Sequence, residues 1–240
     1  MDIRMELDTL LKTALLRHGA ALVGYGDITE LPPTLRQGLP VGVVVAVKYP
    51  KNVIFGIRNL PTKEYYENYN LLNEKLDVLV ELGAQILREA GFSAIPQTRA
   101  YVNKFMLDDV THMPHKTVAT RAGIGWIGKC ALLVTEKFGS MIRLSSILTD
   151  APLETAKPVT KSHCGNCLDC TNACPAGAVS GKLWSVGMKL ECFFDAAACR
   201  KTASERAKRG FGIEATICGK CIEICPYTKR YLNEKSNLTE

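Results

Sequence analysis

The chain has 240 residues, enough for one large or two modest domains, and 47% of them are hydrophobic, which supports a packed core. No apolar run approaches the ~20 residues needed to span a bilayer; the longest, Val41 to Val47, has the length of a strand. The formal charge of +6 alone would suggest an acidic partner, but ten cysteines are also present, and their chemistry alters that count.

The first residues, Met1 to Glu6, carry acids and no apolar h-region, so no signal peptide is expected. Ile3, Leu7, Leu10, Leu11, Ala14 and Leu15 recur at helical spacing and predict an amphipathic helix ending near His18-Gly19. Ala20 to Tyr25 is a short apolar run, followed by a predicted turn at Gly26-Asp27 and a loop at Leu31-Pro32-Pro33. Val41 to Val47 is β-branched and apolar on both faces, which predicts a central strand covered by helices on each side. Pro50 ends it. Pro61 opens a long helical pattern to about Ala90, with Leu72, Leu76, Leu79, Leu82 and Ile86 on one face and Gly91 as the stop. Tyr65, Tyr66 and Tyr69 read as a half-buried face of that helix.

Ser93 to Pro96 predicts a short strand, while Thr98 to Thr111 has no decisive period. Pro114 opens a helix through Arg121, stopped by Gly123-Ile124-Gly125. Ala131 to Val134 and Ile142 to Leu148 predict two further strands, joined through Lys137-Phe138-Gly139-Ser140. Asp150 to Pro158 has linker composition. The expected division is an α/β domain over residues 1–155 and a cysteine-rich domain over 156–240.

The cysteine-rich part carries Cys164-Gly-Asn-Cys167-Leu-Asp-Cys170-Thr-Asn-Ala-Cys174-Pro175 and then Cys218-Gly-Lys-Cys221-Ile-Glu-Ile-Cys225-Pro226. Two such runs, each closed by Cys-Pro, are the ligand pattern of a pair of [4Fe–4S] clusters. A cube needs four thiolates; a tight loop supplies three, and the Cys before Pro serves the other cluster. Cys164, Cys167 and Cys170 therefore take Cys225 as their fourth. Cys218, Cys221 and Cys174 still lack one, for which Cys192 and Cys199 compete, with Cys130 far off in sequence. Zinc prefers two separated Cys-x2-Cys knuckles, and this run is too dense for that.

Thiols at metal-ligand spacing without an export signal point to a reducing, cytoplasmic setting rather than to disulfides. Each cluster with its four thiolates carries about −2. The basic surplus thus mostly offsets two buried anions and gives little reason to expect nucleic acid.

The segment Arg121-Ala122-Gly123-Ile124-Gly125-Trp126-Ile127-Gly128-Lys129, then Gly139-Ser140, then Leu148-Thr149-Asp150, then the two cysteine runs, resembles the epoxyqueuosine reductase family of cobalamin-dependent tRNA-modifying enzymes. That family has an AGLGWIGK-like segment, a Gly-Ser, a strand ending in Thr-Asp and the same cysteine runs in this order. It also has Asp-Ala-x-x-Cys between the runs, here Asp195 to Cys199, so the resemblance selects Cys199 as the eighth ligand. The implied fold is α+β: a nitroreductase-like α/β cofactor-binding domain followed by a small ferredoxin-like two-cluster domain, a layout shared with reductive dehalogenases. The implied activity is reductive, with electrons passing from a donor such as ferredoxin or flavodoxin through the clusters to cobalamin, on a small-molecule or modified-nucleoside substrate.

Gly123, Gly125 and Gly128 would let the backbone approach a flat cofactor, with Trp126 packed on it and Lys129 on a polar substituent; a core tryptophan and a solvated lysine are the plain readings. An ungapped count places the family's proton-donating acid at Asp109, although Leu107 to Lys116 otherwise differs from the family's Val-Asp-Thr-x-Pro. His112 and His115 stand nearby as further proton donors or cobalt ligands. Family enzymes continue into a helical-repeat domain that helps hold tRNA; with Glu240 closing this sequence, a short form is expected, which loosens the link to tRNA. Two other functions fit the residues: a two-cluster electron carrier for a partner enzyme, and a reductase with flavin in the nitroreductase-like pocket.

Overall fold

The structure, a computed structural model, describes residues 3–105 and 113–234. Helix α1 (Ile3–Arg17), strand β1 (Leu22–Asp27), α2 (Pro33–Arg36), β2 (Val41–Lys48), α3 (Lys51–Gly56), α4 (Lys63–Glu89), β3 (Ala94–Pro96), α5 (Arg99–Lys104) and α6 (His115–Arg121) come first. They are followed by β4 (Trp126–Ile127), β5 (Leu133–Val134), β6 (Ile142–Thr149), α7 (Asp169–Ala173), α8 (Ala196–Phe211), α9 (Lys220–Ile224) and α10 (Pro226–Asn233). The fold is mixed α/β and divides into two compact units. One takes Met1–Lys48, Tyr69–Trp126 and Arg143–Thr160; the other takes Tyr49–Asn68, Ile127–Ile142 and Lys161–Glu240.

The α/β unit is built on a four-stranded sheet of order β1-β2-β6-β3. β2 is central, as its composition predicts, and every residue from Val41 to Val47 is buried. It pairs antiparallel with β1, Leu22 opposite Ala46 and Asp27 opposite Val41. The strand therefore runs on through Gly26-Asp27, where a turn was expected. Gly26 is needed there because α6 ends against it: a Cβ would stand 2.6 Å from the Ala122 backbone nitrogen. Gly42 on β2 likewise yields to Val118 of α6, 2.6 Å from where a Cβ would be. Successive strand residues face opposite ways. On β6, Ser146 meets His115 of α6, while Ile147 meets α4 at Gly83, beside Leu11 and Leu15 of α1. Helices thus cover both faces of the sheet.

The cysteine-rich unit has little regular structure of its own. Its helices α7 and α9 are five residues each and pack on one another. One apolar cluster of this unit is Ile127, Ala131, Trp184 and Phe193, and Ile54, Ile57, Phe138 and Leu232 are buried in it as well. Residues 49–68 and 127–142 belong here rather than with the sheet, so the division is not the single cut between 155 and 156. The reason is packing: Tyr66 stacks on Phe211 at 5.4 Å, Phe138 meets Tyr231 edge-on at 4.9 Å, and the Ser140 N–H donates to Thr228 Oγ1 at 3.1 Å. The expected strand over 131–134 shrinks to β5, which pairs with β4 and not with β6. A tight turn causes this, with the Gly128 N–H donating to the Leu132 carbonyl and Ala131 at φ 61°.

Candidate metal centres

Cys164 and Cys167 lie on the loop entering α7, and Cys170 is in its first turn. Cys225 sits at the junction of α9 and α10, where Pro226 starts the next helix without needing a donor. These four thiols line one cavity together with Cys130 and Cys221, walled by Val134, Pro226 and Tyr227. Burial is the first cause pushing the Cys225 thiol up; the N–H groups of Thr228 and Tyr227 oppose it, and Cys164 and Cys170 add to it. Four thiolates in one sheltered place require a compensating cation, and iron supplies it while fixing the thiolate form. Among the described residues no three His, Cys, Asp or Glu converge as a site for one ion.

The second set gathers around α8. Cys199 is half-buried one turn after the helix start, where Asp195 caps the helix by accepting from the Ala198 N–H at 2.9 Å. Burial pushes the Cys199 thiol up, and charge on Cys174, Cys218 and Asp195 adds to it. Cys221 follows Cys218 on α9. Cys192, the rival eighth ligand, is exposed on a single 3₁₀ turn, Leu190–Cys192.

Lys129 is neither a solvated lysine nor open to a ligand. It is 3% exposed, and its Nζ donates to the Cys167 carbonyl at 2.8 Å. That contact fixes the first cysteine loop and leaves a cation beside Cys170, whose thiol is pushed up first by its hydrogen bond with Cys130 and then by burial, with Lys129 opposing. Gly128 is close to the same thiols: a Cβ there would stand 3.6 Å from the sulfurs of both Cys130 and Cys164. Gly123, Gly125 and Trp126 belong to the α/β unit instead. Gly123, at φ 66°, closes α6. Trp126 is 1% exposed, a core residue whose ring offers no open face.

Of the expected proton donors, Asp109 and His112 lie outside the described residues. His115 starts α6, with Nδ1 2.9 Å from Ser146 Oγ. Burial first, then the Arg143 cation, push the imidazole down to about 4, with Asp77 opposing. The ring is therefore neutral at physiological pH, so the expected acid acts as a hydrogen-bonding group. Arg143 donates to Asn73 Oδ1 at 3.0 Å and lies over the Tyr69 ring at 4.2 Å. The sequence reading missed Arg143, Asn73 and Ser146. Polar residues interrupting the apolar pattern of β6 and α4 were the available signal.

Comparison with known proteins agrees with the cysteine geometry. Residues 163–228 match the 4Fe-4S double cluster binding domain family. An epoxyqueuosine reductase from Listeria monocytogenes is 31% identical over 121 residues, 50% of this chain and 31% of that protein. One from Atelocyanobacterium thalassa is 28% identical over 212 residues, 87% of this chain and 64% of that protein. The chain thus spans from about a third to two thirds of these curated relatives. Among solved structures, an epoxyqueuosine reductase with a modified tRNA-Tyr stem loop superposes with a TM-score of 0.61 at 18% identity, covering 94% of this chain and 66% of that one. The reductive dehalogenase NpRdhA gives 0.71 at 17% identity, covering 91% and 31%. The resemblance carried by the glycine-tryptophan segment and the cysteine runs is borne out, and these structures share the fold.

Proposed function

We propose that the chain is an iron–sulfur reductase related to epoxyqueuosine reductase, in which two [4Fe–4S] clusters deliver electrons one at a time to a cobalamin held by the α/β unit. The observation that carries this reading is the gathering of Cys164, Cys167, Cys170 and Cys225 around one cavity, which Cys221 also lines. The crossover of paired motifs assigns Cys221, with Cys174, Cys218 and Cys199, to the second cluster. Lys129 holds the first loop in place before iron arrives and offsets part of the cluster's charge.

The α/β unit is read as nitroreductase-like. A reductive dehalogenase sharing the fold, with a TM-score of 0.66 at 17% identity, is described as B12-dependent, which supports cobalamin over flavin. Bound cobalamin would supply a strongly reducing metal centre, and the protein's part is to position it and exclude competing reactions. The side chains of Trp126 and Lys129, already engaged, do not help to hold it, so any contact from this segment falls to the backbone at Gly123. His115, neutral and tied to Ser146, would position rather than protonate. The curated relatives and the tRNA-bound neighbour support a modified nucleoside as substrate, and a low-potential ferredoxin or flavodoxin as donor fits the clusters.

A second reading, a two-cluster electron carrier, is favoured by the burial of Trp126. The two separate in one experiment. Protein purified without oxygen is mixed with hydroxocobalamin or flavin, and the visible spectrum is followed during reduction. Corrinoid bands that shift on binding uphold the reductase. Binding of neither cofactor leaves the carrier, and flavin binding replaces the cobalamin.

A further inference from the structure

The charge of the chain is unevenly placed. The α/β unit carries 13 Lys and Arg against 13 Asp and Glu, while the cysteine-rich unit carries 17 against 11, so the whole basic surplus lies with the thiols. Helix α8 concentrates it: Arg200, Lys201, Arg206, Lys208 and Arg209 stand against Glu205 alone. Ala203 and Ala207 turn one side of the helix inward, and Arg200, Lys201, Lys208 and Arg209 are exposed. Cations near a helix C-terminus are stabilised by the helix dipole, which accounts for Lys208 and Arg209. It does not account for Arg200 and Lys201, which stand near the other end, directly after Cys199. The helix is fastened at its far end. Arg206 donates to the Asn59 carbonyl, and Gly210 passes so close to the Pro61 carbonyl that a Cβ would stand 2.1 Å from the oxygen. The segment so fastened carries Arg58, which is also exposed.

We propose that the exposed basic face of α8 is where an acidic one-electron carrier protein docks to reduce the second cluster. The inference rests on the reading of the chain as a two-cluster reductase, in which Cys199 is a ligand of that cluster. Such a reductase needs a place for electrons to enter, and the basic face begins at the residue after that ligand. One electron leaves the carrier and enters the cluster, so the carrier is oxidised and the cluster reduced by one, with no bond or proton exchanged. Opposite charge speeds such encounters by about 10- to 1,000-fold, and salt screens the gain. Glu205, four residues from both Lys201 and Arg209, and Glu214, 3.1 Å from Lys208 Nζ, offset part of the charge and leave the face basic. RNA is the poorer fit. Stacking of bases needs open aromatic rings, and the one aromatic residue of α8, Phe211, is stacked on Tyr66.

The test mixes oxidised protein, purified without oxygen, with fully reduced flavodoxin, an acidic flavin carrier. The blue semiquinone that flavodoxin forms on losing one electron is followed by stopped flow across a salt series. We expect the wild-type rate constant to fall at least about tenfold between low salt and about 0.5 M. In the triple variant Lys201→Glu, Lys208→Glu, Arg209→Glu we expect about a tenfold loss at low salt and little further response to salt. Its iron content and its reduction by the small reductant dithionite should match wild type. A wild-type rate that ignores salt overturns the docking site, and that measurement needs no variant. A variant that keeps the wild-type rate also overturns it, as does an equal slowing with dithionite, which would place the effect on the cluster. Unchanged flavodoxin rates with lost binding of a transfer RNA stem loop would make the face an RNA surface instead. Wild-type protein without four-iron clusters would overturn the underlying reading of the chain, whereas the other adverse results, obtained with full iron, overturn the docking site alone.

Discussion

The two units of this chain are stabilised by different means. The α/β unit buries Val43, Val44, Val45 and Val47 on one strand, each fully buried valine contributing roughly 1.5–3 kcal/mol. In the cysteine-rich unit the cysteine loops lead into α7 and α9, far shorter than the ~12 residues at which isolated helices become even marginal. Around the thiols, cohesion is expected to depend on iron, as in small metal-bound domains generally. One unit carries its stability in its own side chains; in the other, the segments around the thiols depend on what those thiols hold.

The largest expected effect follows directly. Cys164→Ala and Cys218→Ala should each remove about half of the four-iron signal, Cys199→Ala should do the same, and Cys192→Ala should leave it whole. Full removal of iron by a chelator should then expose the amides of α7, α9 and their loops to hydrogen exchange while those of β2 stay protected. Iron retained in Cys199→Ala but halved in Cys192→Ala would exchange their roles. Equal loss of protection in β2 would end the contrast between the units.

A second way to sharpen the contrast is to disturb the cysteine-rich unit away from its metal. Gly139 has φ +57°, and a Cβ there would stand 2.3 Å from the Thr228 backbone nitrogen. Neither the left-handed backbone nor the backbone neighbour can yield cheaply. Gly139→Ala should destabilise that unit by about 2–4 kcal/mol and slow its loading with iron. Thermal unfolding followed by cluster absorbance measures this. An unchanged midpoint would mean that iron alone, and not this packing, holds residues 127–142 in place.

How far the sequence could be read follows the same division. β2, the long helix α4 and the helix α6 were legible because each has a period or a boundary residue that physics ties to one structure: Val41 to Val47, the leucines from Leu72 to Leu82, and Pro114 before His115. The cysteine runs were legible because a cluster dictates ligand spacing. The two-residue strands β4 and β5 were not, since no pattern repeats in so short a stretch. Tyr65, Tyr66 and Tyr69 read as one face, yet Tyr65 meets Tyr49, Tyr66 stacks on Phe211 and Tyr69 takes the Arg143 cation. Cys130 stands far from both cysteine runs in the sequence. Only the folding of the turn beside α7 and α9 gives it neighbours, and sequence distance conceals that.

The smallest effect concerns a titratable group on which the α/β unit's stability depends in the weakly acid range. His115 is held neutral, its imidazole pushed down to about 4 from an ordinary 6.5, by burial and then by Arg143. As pH falls, the unfolded chain takes up this proton before the folded one does. The stability conferred by the neutral ring is therefore complete above about 6.5 and is lost progressively down to about 4. His115→Gln keeps a hydrogen-bonding group for Ser146 and removes the titration. We expect little change at pH 7.5 and a relative gain of about 1–3 kcal/mol for the variant near pH 4.5. Because clusters are themselves acid-sensitive, the measurement is amide exchange at β2 and β6 in iron-loaded protein, wild type against variant at each pH. Parallel pH slopes in the two proteins would show that the ring is not buried neutral. The contrast between the units would then lose a pH-dependent element on the α/β side.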